Sequence, residues 1–218
     1  MPESKFTWPR LKEHLRKFLW IYLVGIVVCV AGTNLLWTTT APRIPYDQSV
    51  VILMADGFSN AEALDSVAKE TLIRTQADDP TLKLVEFQPM QYVGPEDYAS
   101  QMLMVTRLSI AEGDALLACE AAMDALLKMN AVLPLDDAWA NGWMEGRGLE
   151  PYYATAVDEE TGEERTFLAG VRLDSVDALA RLHAFNNEGA FLCVTINSEN
   201  EATSLKALEH LIDVLGEV

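Results

Sequence analysis

Basic residues are scarce over most of this chain. After Arg43 it carries ten lysines and arginines against 31 aspartates and glutamates, a formal charge of about −21 for that region. A phosphate-binding surface needs clustered Lys and Arg, so nucleic acid is excluded as a partner. The same charge disfavours lying flat on anionic lipid. Histidine is rare too. Of the three, His14 lies in a basic N-terminal tail, and neither His183 nor His210 has a second His or Cys at i+3 or i+4. The chain contains no GxSxG, GxxxxGKS/T or GxGxxG pattern. No catalytic residue, metal or cofactor is therefore expected, and the chain reads as a binding protein rather than an enzyme.

Other scarce features narrow the reading further. Three cysteines are too few for a disulfide scaffold. Cys119 and Cys193 each sit within an apolar run, so they are either a disulfide pair or buried thiols. The acidic run Asp158-Glu-Glu-Thr-Gly-Glu-Glu164 has carboxylates for calcium but lacks the alternation of an EF-hand loop, and reads as an exposed hairpin tip. The glycine-rich stretch Asn141–Gly148, NGWMEGRG, reads as an irregular connection rather than an anion site. There is no internal repeat.

What is present begins with an uncharged segment. Residues 18–37 hold no charged side chain, and residues 1–17 before them hold five Lys and Arg against two Glu. Twenty helical residues span ~30 Å, the thickness of a bilayer's hydrocarbon core. Trp20, Tyr22 and Trp37 lie near the ends, as an interfacial aromatic belt would. A cleaved signal peptide is the competing reading, but its apolar core is shorter. The expected organisation is a basic cytoplasmic tail (1–17), a single transmembrane helix (18–37), a proline-containing stalk (38–48) and an extracellular α/β domain (49–218) in the cell membrane.

Within the domain, apolar runs alternate with helical periods. Ser49–Ala55 is a continuous apolar run suited to a strand buried on both faces, followed by a helix through Leu64, Val67, Ala68 and Leu72. Leu82–Gln88 is a second strand, and a helix through Tyr98, Met102, Val105 and Leu108 stops at Gly113. Ala115–Cys119 and Glu120–Asn130 form the third strand and helix. Three such cycles predict a mostly parallel sheet between two helical layers, a three-layer single lobe. A hairpin (152–157 and 165–173), a short helix from Asp174, a strand (189–197) and a last helix with a Ser198-x-x-Glu201 capping box complete the chain.

Three stretches carry a family resemblance: MLMVTRLSIAEGDALLACEAAMDALLKMNAVLPLDD, RTFLAGVRLD and FLCVTINSENEATSLKALEHLI. In order and in character they resemble extracellular solute-binding proteins of transporter type. Between Leu173 and Gly189 there is room for one short helix only, so the second lobe of that family has no counterpart. The resemblance implies a reduced, membrane-anchored half of a periplasmic-binding-protein-like fold that binds a protein or peptide, with a small solute as the alternative ligand. A structural subunit of an envelope complex and an extracytoplasmic enzyme are the competing functions. Ligands of open α/β sheets bind beyond the carboxyl ends of the strands. Those ends nominate Asp56, Gly57 and Ser59, then Tyr92, then Glu120.

Overall fold

A computed structural model describes residues 8–40, 44–55, 61–157, 164–183, 185, 189–198 and 200–217. Residues Met1–Arg43 and Ile44–Val218 form two separate units. The first holds one helix, α1 (Trp8–Thr40), in which Arg16–Thr38 has a mean hydropathy of 2.1 over 23 residues. That is long and apolar enough to cross a membrane. The helix extends beyond both ends of the uncharged segment.

The second unit is α/β. Its strands are β1 (Ser49–Ala55), β2 (Leu84–Met90), β3 (Ala115–Cys119), β4 (Glu150–Val157), β5 (Glu164–Arg172) and β6 (Ala190–Val194). Its helices are α2 (Ala61–Asp78), α3 (Tyr98–Ser109), α4 (Glu120–Lys128), α5 (Asp136–Ala140), α6 (Ala178–Arg181) and α7 (Glu201–Glu217). All six strands form one sheet in the order β2-β1-β3-β6-β5-β4.

The expected mostly parallel sheet is a mixed one. β1 pairs in parallel with β2 and β3, whereas the β3–β6, β6–β5 and β5–β4 pairs are antiparallel. Each strand-helix cycle returns the chain to the same sheet end and produces a parallel neighbour. The β4–β5 connection is too short for a crossover, so it makes a hairpin. Among the described residues, the stretch after β5 holds only the four-residue α6, and β6 re-enters antiparallel between β3 and β5.

Successive residues of β1 point to opposite faces, and both are covered. Val50, Ile52 and Met54 join a core with α2 and α7, and Val51, Leu53 and Ala55 join one with α3 and α4. All seven residues of β1 are buried, which is why the run is apolar without alternation. Burying one Ile, Leu or Met side chain fully contributes ~1.5–3 kcal/mol. β2 starts two residues later than its apolar pattern predicts, because Leu82 is buried in the preceding loop, where its carbonyl accepts from Gln76 Nε2 at 2.8 Å. β2 ends through Pro89, which an edge strand tolerates.

The stretch read as an irregular connection directly follows α5 and is a run of turns. Met144 and three glycines there, Gly142, Gly146 and Gly148, adopt positive φ. Trp143 and Met144 are nonetheless buried, and Trp143 Nε1 donates to the Leu205 carbonyl of α7 at 3.1 Å. The acidic turn at 158–163 lies outside the described residues.

Candidate functional site

The carboxyl ends of β1, β2 and β3 lie on one side of the sheet. Asp56, Gly57 and Ser59, expected to follow β1, lie outside the described residues. Tyr92 follows β2, but only 3 % of it is exposed, and its hydroxyl points to the Ala121 carbonyl of α4 at 3.5 Å. Burial pushes its phenol above the usual value, and Cys119 and Asp124 add to the shift. Tyr92 therefore supports α4 from below. Glu120 is exposed in the first turn of α4, where a carboxylate complements the helix dipole.

Cys119 and Cys193 do not meet. In the β3–β6 ladder Cys119 stands opposite Ala190 and Cys193 opposite Leu116. Three residue steps separate them, ~10 Å at strand rise and beyond disulfide reach. Cys193 is fully buried, which pushes its thiol up to about 12.

Helix α4 is the spine of the surface. Ala122, Met123 and Leu126 face the core, and Glu120, Ala121, Asp124 and Lys128 are exposed. The helix lies over β3, β6 and β4. Its two flanks differ. On the β4 side, the rings of Tyr152 and Phe191 are 4.4 Å apart, and the Arg172 guanidinium sits 5.4 Å from the Phe191 centroid. Arg172 Nε donates to Asp174 at 2.7 Å, and Glu150 approaches at 4.0 Å. Asp174 also accepts from Gly189 N–H at 2.7 Å. The Arg172 contact and that amide hold the Asp174 carboxyl below its usual range. Burial raises the Tyr152 phenol, and the negative charges of Asp124 and Glu120 raise it further. This flank is filled, and its charges are paired within the protein.

On the other flank, between α3 and α4, runs an open groove of about 300 Å3. Pro95, Gln101, Met104, Val105, Ala125 and Met129 line it, with Asp124 and Lys128 at its rim. α3 meets the core differently from its expected register. Ser100, Met104 and Leu108 are buried, whereas Tyr98, Met102 and Val105 stay 74 %, 44 % and 38 % exposed. Both sets recur at helical spacing, so periodicity could not choose between them. Asp97, the N-cap, accepts from Ser100 N–H at 3.0 Å, and this orients the helix start.

A second polar cluster went unnoticed in the sequence. Asp114 accepts from Val51 N–H at 2.9 Å and from the Ser198 hydroxyl at 2.8 Å, while its own N–H donates to Val51 O at 2.9 Å. Thr195 donates from its hydroxyl to Gly113 O at 2.6 Å, and Asn197 Nδ2 to Leu108 O at 3.1 Å. Asn200 Nδ2 reaches the carbonyls of Tyr46 and Ser49. The GD and TINSEN stretches thus tie β1, β3 and β6 together at the sheet end opposite α4's N-terminus. Ser198 donates to Asp114 and its hydroxyl accepts from Asn200 N–H at 3.3 Å, and α7 begins only at Glu201, so Ser198 sits two residues short of the N-cap position that the expected capping box needs. The tell-tale was the density of Asp, Thr, Asn and Ser directly after apolar runs.

The remaining candidates resolve structurally. Arg147 in NGWMEGRG makes a two-pronged contact to Asp213 at 2.8 Å and approaches Glu209 at 3.7 Å, so its charge is neutralised internally. His210 Nε2 lies 2.8 Å from Asp78. Among the described residues, no group of three or more His, Cys, Asp or Glu could hold a metal ion. Compared with family models, curated proteins and solved structures, the chain matches none.

Proposed function

We propose that this chain is a single-pass membrane protein whose basic tail stays cytoplasmic and whose acidic domain works outside the cell as a non-catalytic binding module. In this reading the domain resembles one lobe of a solute-binding protein, and it recognises a protein or peptide rather than enclosing a small solute. The parallel β2-β1-β3 unit with helices over both faces supports the resemblance. The charge difference across the apolar helix supports the orientation.

The observation that carries the reading is the open α3–α4 groove with its exposed apolar border. Small-solute sites gain affinity by enclosing most of the ligand, and a groove suits a longer one. The test is the thermal midpoint of the detergent-solubilised full chain against panels of sugars and amino acids, with shifts below ~2 °C expected. A large shift with a single solute would make this a solute receptor. A photo-crosslinker at Val105 in native membranes should capture a protein, and one at Thr155 on the far edge should not. Protease added to intact cells should cleave the domain and spare a tag on the N-terminal tail.

A further inference from the structure

An apolar stripe at helical spacing normally faces a core. On α3 the residues Tyr98, Met102 and Val105 follow that spacing at i, i+4 and i+7, yet all three are exposed, and Val105 lines the groove. A second set on the same helix, Met104 and Leu108, already supplies its contact with the sheet. The two methionines that line the groove, Met104 and Met129, can adapt to varied apolar partners. A furrow between two helices is a geometry into which a third amphipathic helix can lay its apolar face.

Charge selects among the occupants. Of the residues that line the groove, Asp124 is acidic and Lys128 basic; Glu96 and Asp97 follow the lining Pro95 directly in the chain, and Glu120 precedes the lining Ala121. The region after Arg43 carries about −21 in all, so a second copy of this domain would meet repulsion of like sign. An anionic lipid surface would be repelled in the same way. A partner bearing positive charge would be steered toward the groove and held at its rim.

Resting on the binding-module reading above, we infer that the occupant of the α3–α4 groove is a cationic amphipathic helix of a partner protein. Its apolar face covers Met102, Val105 and Met129, and its lysines or arginines meet Glu96, Glu120 and Asp124. Apolar contact supplies most of the affinity, and the carboxylate rim supplies the choice of partner.

The test uses the full chain in phosphatidylcholine nanodiscs and a fluorescent helical Leu/Lys peptide of about five turns. Its twin carries glutamate in place of lysine, and empty nanodiscs measure the lipid contribution. The Leu/Lys peptide should bind the protein-loaded discs above that background. Val105→Asp, which removes apolar contact and keeps the rim acidic, should weaken binding by ~10-fold or more. Asp124→Lys should weaken it ~3- to 10-fold, an effect that shrinks at ~0.5 M salt. The Leu/Glu twin should bind at least ~30-fold more weakly. Both substituted side chains are exposed, and unchanged thermal midpoints verify that the variants are folded.

Binding equal to that of empty discs, equal binding of the two peptides, or binding unchanged in both variants would overturn the inference. Capture at Val105 of a protein whose contacting segment is acidic would overturn it too, and would leave the binding-module reading standing. Absence of any captured protein, together with a large thermal shift from one solute, would instead remove that reading itself.

Discussion

In the parallel half of the sheet, β1 holds its neighbours through side chains that interdigitate with helices on both faces. In the antiparallel half, the backbones themselves come close. Pairing of β4 with β5 shifts register between Tyr152 and Tyr153, so Ala169 bulges out of the ladder, and Gly170 beside it lies against the Leu192 carbonyl of β6. Side chains can rotate to absorb a change, whereas a carbonyl within a sheet cannot. α4 straddles the seam between the halves. Its flank toward the antiparallel half is closed by Tyr152, Phe191 and the Arg172 ion pairs, and its flank toward α3 is left open. The rigid half backs the surface, and the half held by side chains borders the groove.

The sharpest way to break this comparison is at Gly170. A Cβ there would fall inside 3.0 Å of Leu192 O, closer than real Cβ atoms approach. Gly170→Ala should cost ~3 kcal/mol or more, because the backbone of β5 or β6 must move. Chemical denaturation of the solubilised full chain measures it. Gly216→Ala is the control: it meets nothing within 4 Å and should leave stability equal or slightly higher. A Gly170→Ala cost under ~1 kcal/mol would mean that the antiparallel half is as yielding as the parallel one.

Asp114 joins the two halves, and Asp114→Ala should cost ~2 kcal/mol by leaving the Val51 N–H and the Ser198 hydroxyl without their acceptor. Amide exchange should locate the damage. Protection should fall first in β1 and in the segment after β6, with the β4–β5 hairpin keeping its own.

Gly113 gives the parallel counterpart of Gly170. A Cβ there would meet Leu53 Cδ1 and Cγ at 2.6 Å, a side chain rather than backbone. Leu53 is fully buried, so Gly113→Ala still costs, but rotation limits the loss to ~1–2 kcal/mol. Equal costs at Gly113 and Gly170 would erase the distinction between side-chain and backbone closure.

How legible each half was in the sequence follows the same division. β1, β3 and the start of α4 fall where the apolar runs and the acidic helix start place them, because a strand buried on both faces must be apolar throughout. The hairpin is visible from the Gly-containing acidic turn between its two runs. The insertion of β6 between β3 and β5 is not, since strand order depends on pairings far apart in sequence. On α3, Tyr98, Met102 and Val105 compete with Ser100 and Met104 for the same period, and only the position of the sheet decides. Asp114 is not singled out by the sequence, because a side chain that caps neighbouring strands has no periodic signature. Of the nominated site, Glu120 is displayed and Tyr92 is buried, a difference set by how α4 sits over β2's exit.

Acid separates the halves more gently. Hydrogen bonds from Ser100 hold the Asp97 carboxyl below its usual range, and Arg172 with Gly189 N–H does the same for Asp174. A carboxyl depressed in the folded state contributes stability above its unfolded value, ~4, and that contribution is lost as pH falls through the folded value. Stability should therefore decline below about pH 4. Asp174→Asn should flatten this acid limb, read as fewer protons taken up on unfolding, and Asp97→Asn should do so independently. An acid limb unchanged in both variants would mean that neither contact persists in solution.

The smallest effect is expected where the binding argument is strongest. Val105 is exposed and lies one residue from Met104, which is buried in the core beneath the groove. Valine and aspartate have similar helix propensities, so Val105→Asp alters neither the helix nor the core. Its effect on stability should stay within ~0.5 kcal/mol. A cost of several times that would mean α3 turns Val105 inward, closing the groove from within. The stripe at Tyr98, Met102 and Val105 would then belong to the core of the domain and not to a partner.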